Sequence, residues 1–154
     1  MTKQQKAREP FLRFLFFVYC AWMLCLLFGR ASGWIDGLSY REQLHQNINL
    51  QPFYTIGNYL HVLKYSTNAY LVRHCFINLA GNVLLFVPIG WLLPRLWKAQ
   101  RKFFRFVVTC TGAVFLIETV QLFTLLGSFD VDDWILNLLG MLLGYLGYIL
   151  FGRK

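Results

Sequence analysis

Hydrophobic residues in this chain come in four long blocks separated by short polar stretches. The blocks run over Phe11–Gly29, His74–Trp97, Phe103–Leu126 and Asp133–Phe151. Each is close to the ~20 residues that a helix needs to cross hydrocarbon. The pattern predicts an all-α membrane protein with four transmembrane helices, at about 11–29, 74–97, 103–126 and 132–151, in a single domain over residues 1–154. The first block also has features of a cleaved secretory signal: basic Lys3, Lys6 and Arg8 in front, and small Gly29, Ala31 and Ser32 behind. Its apolar run is long for a signal, and Arg30 and Trp34 follow directly, so a retained helix is the better reading.

Polar positions inside these blocks stand out because hydrocarbon offers no partners. A carboxylate at membrane depth costs several kcal/mol unless it is paired, protonated or near water. Glu118 lies about eight residues from the end of its helix, roughly 12 Å down at 1.5 Å per residue. Gln121 is three residues on and shares its face. The second block carries Asn78 and Asn82 four apart, with His74 a turn above and Gly81 beside them. At the start of the fourth stand Asp130, Asp133 and Asn137, and Gly140 and Gly144 continue that stripe. Three helices thus present polar stripes at similar depth. Mutual hydrogen bonding across the bundle is the physical way to satisfy them. The expectation is one shared polar pocket, open to the outside.

Several of these residues also have purely structural readings. Asp130 and Asp133 have the spacing of a helix cap and its third position, where acids suit the helix dipole. Asp132 reads as a solvated turn residue. The asparagines can serve as interhelical glue, and Gly140-x-x-x-Gly144 as a close-packing seam, within the chain or in a homodimer. Glu118 is the residue these readings explain least, since a mid-helix position excludes capping.

The segment Arg30–Arg73 between the first two helices is rich in aromatic residues: Trp34, Tyr40, Phe53, Tyr54, Tyr59, Tyr65 and Tyr70. Such rings favour the headgroup zone. Ile56, Tyr59, Leu60 and Leu63 recur at helical spacing, which predicts a short helix lying in the interface. The proline in "NINLQPF" (Asn47–Phe53) favours an extended entry to it.

Composition agrees with the pattern: 57% of the 154 residues are hydrophobic and only 14% charged, too few to cover a soluble domain. The net charge of +8 would suggest nucleic acid if it were spread evenly. Instead Lys3, Lys6, Arg8 and Arg13 precede the first helix, and Arg95, Lys98, Arg101, Lys102 and Arg105 surround the link between the second and third. Arg153 and Lys154 end the chain. In a four-helix topology these fall on one side, so the positive-inside bias places both termini in the cytoplasm and nucleic acid is set aside. Anionic lipid adds to this attraction. Cys20, Cys25, Cys75 and Cys110 lack disulfide or metal spacing and read as small apolar residues. His45, His61 and His74 are too scattered for a metal site.

In order along the chain, "NLQPF" (Asn49–Phe53), "NLAGNVLLFVPIGWLLP" (Asn78–Pro94) and "IETVQLFTLLGSFDVDDWILNLLGMLLGY" (Ile117–Tyr145) resemble the VanZ-like family of small bacterial membrane proteins, named for a member linked to teicoplanin resistance. The family pattern carries onto Asn82, Pro88 and Gly90, then Glu118 and Gln121, then Asp130, Asp133, Asn137 and Gly140. Many relatives have an arginine just before the aspartates. Here Gly127 stands there, with Arg73 as a candidate substitute for that charge. The resemblance implies a bacterial cytoplasmic membrane and an action outside it, on or near cell-wall precursors.

Three functions compete. The first binds or shields an amphipathic envelope ligand, or the acyl tail of an antibiotic, through Asn78, Asn82, Glu118, Gln121, Asp130, Asp133 and Asn137, with no cofactor. The second is an intramembrane enzyme with Glu118 as general base and Asp130 and Asp133 as polarising groups or ligands of a divalent cation. Ser128 lies near these acids, but no histidine or lysine is placed to activate it. The third is a small proton-coupled carrier, for which four helices per chain are few.

Overall fold

A computed structural model describes residues 3–29 and 35–152. Arg30, Ala31, Ser32, Trp34, Arg153 and Lys154, on which some sequence expectations fall, lie outside the described residues. The elements run α1 (Lys3–Phe28), α2 (Tyr40–Gln46), β1 (Ile48–Asn49), α3 (Tyr54–Tyr65), α4 (Ala69–Leu84), α5 (Val87–Leu96), a 3-10 turn (Lys98–Arg101), α6 (Phe103–Thr124), β2 (Phe129–Asp130), α7 (Val131–Gly147) and a closing π turn (Tyr148–Gly152). Four stretches among the described residues are long and apolar enough to cross a membrane: Glu9–Phe28, Ala69–Leu96, Phe103–Thr124 and Val131–Gly152.

The second of these departs from its sequence expectation in two ways. It begins five residues earlier, at Ala69, because Asn68 caps it through the backbone N–H groups of Tyr70 and Leu71. It is also two helices, broken at Leu85–Phe86. Pro88 sits at the start of α5, where its missing N–H and its ring prevent α4 from continuing straight through. The third helix stops two residues short of expectation. Leu125 turns left-handed at φ 54°, and the N–H of Leu126 returns to the Gln121 carbonyl.

The fold is not purely helical. Ile48–Asn49 pairs in parallel with Phe129–Asp130, which binds the segment between α1 and α4 to the turn before α7. The expected helix after "NLQPF" is α3. It turns Ile56, Tyr59 and Leu63 inward and packs on α4, while Leu60 faces out. Ahead of it, Ser39 and Glu42 cap α2 reciprocally, and the Ser39 hydroxyl and N–H hold the Glu42 carboxyl below its ordinary pKa.

One seam organises the bundle. α7 lies tightly in the angle of α4 and α5 because glycines remove the side chains between backbones. A Cβ at Gly140 would stand 2.1 Å from the Val83 carbonyl oxygen, one at Gly144 2.0 Å from that of Val87, and one at Gly90 2.0 Å from that of Met141. The glycine stripe is therefore used within the chain. Within the chain, α4 and α5 occupy the face of α7 that carries Gly140 and Gly144. Phe86, Phe106, Val114 and Met141 fill the centre behind it.

α1 is held differently. It packs chiefly on α5, through Phe16 edge-on to Trp97 and through the Tyr19 hydroxyl, which donates to the Leu85 carbonyl at the α4–α5 break (2.8 Å). Between α1 and α6 runs an apolar groove of about 450 Å³, floored by α5 and α7. The end of the bundle bearing Arg13 and Arg95–Arg105 is called the basic end below, and the end bearing α2, α3 and Asp130 the acidic end.

Candidate functional site

Four acidic residues lie at the acidic end of α6 and α7, and each has a different environment. Asp130 is the N-cap of α7. One of its oxygens accepts from the Asp132 N–H (2.8 Å), and the other accepts from the Thr55 hydroxyl (2.6 Å) and the Asn49 amide (3.2 Å). Asp130 thus starts α7 and fastens α3 and β1 to it.

Asp132 corrects the expectation of a solvated turn residue, for its relative exposure is 0%. Its two oxygens accept from the backbone N–H groups of Phe53 (2.5 Å) and Ile56 (3.0 Å). α3 has no side-chain cap of its own, and Phe53, its N-cap residue, is left-handed at φ 64°. Asp132 supplies that cap from another helix, satisfying donors that would otherwise be orphaned. The negative charge at the start of α3 also suits its dipole. This latch went unrecognised in the sequence. Asp130 and Asp132 are only two apart, and their partners in β1 and at the start of α3 lie more than 70 residues away.

Asp133 and Glu118 form the part nearest the bundle interior. The Asn82 amide donates to Asp133 across the α4–α7 interface. Glu118 comes close enough to Asp133 and Asp130 to feel both charges, and the Asp130 backbone N–H is directed at its carboxyl. Glu118 is 3% exposed, and Asn137, one turn below Asp133, is 2% exposed. The Glu118 Oε2 and the Asn137 Oδ1 are buried acceptors without a hydrogen-bond donor. Each such orphan costs about 1–3 kcal/mol.

The structure thus brings Asn82, Glu118, Asp130 and Asp133 together, with Asn137 a turn along. The other two expected members point elsewhere. The Gln121 amide donates to the Leu27 carbonyl at the end of α1 (3.0 Å), tying α1 to α6. Asn78 donates to the His74 carbonyl in its own helix (2.9 Å) and faces the His74 ring. Gly127 packs on Gln121, where an added Cβ would lie 3.1 Å from that side chain. Arg73 is exposed.

The cluster is closed rather than an open pocket, because Asn82, Glu118 and Asn137 are all under 4% exposed. The divalent-cation idea gains no support. Asp130 has both oxygens committed, and among the described residues no three His, Cys, Asp or Glu side chains are grouped to hold a metal.

Four membrane-length helices, with buried acids and amides shared between them, define a mainly helical integral membrane protein. A family model described as VanZ/LLP1 matches residues 15–152, nearly the whole chain, and the chain belongs to that family. No curated protein and no solved structure matches it.

Proposed function

We propose that this VanZ-family protein binds an amphipathic molecule of the bacterial cell envelope at the acidic end of its bundle, and that this binding contributes to tolerance of teicoplanin-type antibiotics. In this reading the chain sits in the cytoplasmic membrane with both termini inside, so the acidic end faces the surface where such antibiotics and their targets meet. The observation that carries the reading is the pair of donor-less acceptors, Glu118 Oε2 and Asn137 Oδ1, beside Asp133. Buried polar groups in folded proteins almost always have partners. A ligand with hydrogen-bond donors would partner both acceptors. The enzyme and carrier readings have less behind them. Both oxygens of Asp130 are engaged in starting α7 and fastening α3 and β1 to it.

The test compares wild type with Glu118→Gln at matched membrane levels in a susceptible bacterium. The substitution keeps the shape and adds a donor where one is missing, so the protein should fold and insert normally. Loss of the teicoplanin tolerance conferred by wild type is the expected result. Equal tolerance for both proteins would overturn the reading.

A further inference from the structure

The groove between α1 and α6 belongs to neither the polar cluster nor the glycine seam. Its walls come from Phe16, Cys20 and Met23 on α1 and from Ala113, Leu116 and Val120 on α6. The one polar residue lining it is Thr109, whose hydroxyl accepts from the Gln100 amide (3.1 Å). A groove so lined has nothing to pair with a backbone or a headgroup along its length. Within a bilayer the matching occupant is a hydrocarbon chain.

The basic end specifies more. Following the α1 wall back from Cys20 and Phe16 by one helical repeat reaches Arg13. Following the α6 wall back from Ala113 and Thr109 reaches Arg105. Both arginines are exposed. The register fixed by Gln121 on Leu27 brings them to nearly the same level, about 3 Å apart along the axis at 1.5 Å per residue. Arg13 has only a loose partner in Glu9, at 3.9 Å with both side chains at least 40% exposed, a geometry that binds weakly. Helical register thus sets both arginines at the basic end of a hydrocarbon-lined groove, one turn beyond its walls, and guanidinium forks suit phosphate.

We propose that this groove is a binding site for an anionic phospholipid, with one acyl chain between α1 and α6 and the phosphate between Arg13 and Arg105. The site lies at the opposite end from Glu118 and rests only on the membrane placement of the chain, not on the ligand reading above.

The experiment places the purified full chain in vesicles of equal parts phosphatidylglycerol and phosphatidylcholine, extracts it in mild detergent, and identifies retained lipid by native mass spectrometry. Wild type should keep one phosphatidylglycerol in preference to phosphatidylcholine. Arg13→Gln and Arg105→Gln should each lower that preference roughly fivefold. Ala113→Trp should fill the groove and remove the retained lipid, and Leu116→Trp serves as a second filler should the first fail to fold. Arg41→Gln, at an exposed arginine of α2 at the acidic end, should leave retention unchanged, which separates this site from a general attraction of anionic lipid to basic residues. Equal retention of the two lipids by wild type, or undiminished retention in a folded groove-filling variant, would overturn it.

Discussion

Two seams run the length of this bundle, and one is shut while the other stands open. Along α7 against α4 and α5, backbones nearly touch at Gly90, Gly140 and Gly144, and the Asn82 amide crosses to Asp133. Along α1 against α6, apolar side chains face each other across a groove, and among the described residues the side-chain bond that joins the two is Gln121 to Leu27, at the acidic end. The open seam is the more apolar of the two, so greasiness does not decide which closes. Lipid tails are as apolar as leucine, and apolar helix faces gain little by leaving them for each other. Close approach of small residues and interhelical hydrogen bonds must close a seam, and only the first has both.

That contrast can be broken by substitution, and the largest effect should come from the shut seam. Gly140→Leu drives a side chain into the Val83 carbonyl and should destabilise the protein by more than the ~3 kcal/mol typical of overpacking, read as loss of monodisperse protein in detergent. If Gly140→Leu is tolerated, α7 is not locked as described. Next comes the latch above that seam. Asp132→Ala removes two charge-assisted bonds to the start of α3 and should cost about 3–5 kcal/mol. Hydrogen exchange should then rise at the amides of Phe53 and Ile56 while the amides of α6 stay protected.

Asn82→Leu removes the hydrogen bond across the shut seam and should cost about 1–2 kcal/mol by thermal unfolding. A loss nearer 5 kcal/mol would mean that Asn82 holds more than Asp133. Smallest of all, Ala113→Trp adds bulk to the open seam and should change stability by no more than about 0.5 kcal/mol. A large loss there would mean that α1 and α6 are packed together after all.

Much of this was legible along the chain. The four blocks located the spans to within a few residues, since a ~20-residue apolar run has one stable form in hydrocarbon. Helical spacing on the expected depths paired Asn82 with the acids of α7 and set Glu118 beside them. Other assignments failed where partners are remote. Gln121 shares a face with Glu118 but its amide reaches α1. Asp132 looks like a turn residue because nothing near it in sequence indicates that α3 lacks a cap. The glycine stripe was visible, yet its partner was not, because a stripe of small residues fits any backbone that approaches it.

By itself, then, the sequence determined the number of spans, their depth and which side chains must escape the lipid, because those follow from transfer costs that each residue carries alone. The tertiary structure decided which seam closes, which acid holds the cap and where a groove remains. Those depend on hydrogen bonds and backbone contacts between segments up to 94 residues apart, and no local pattern encodes the partner.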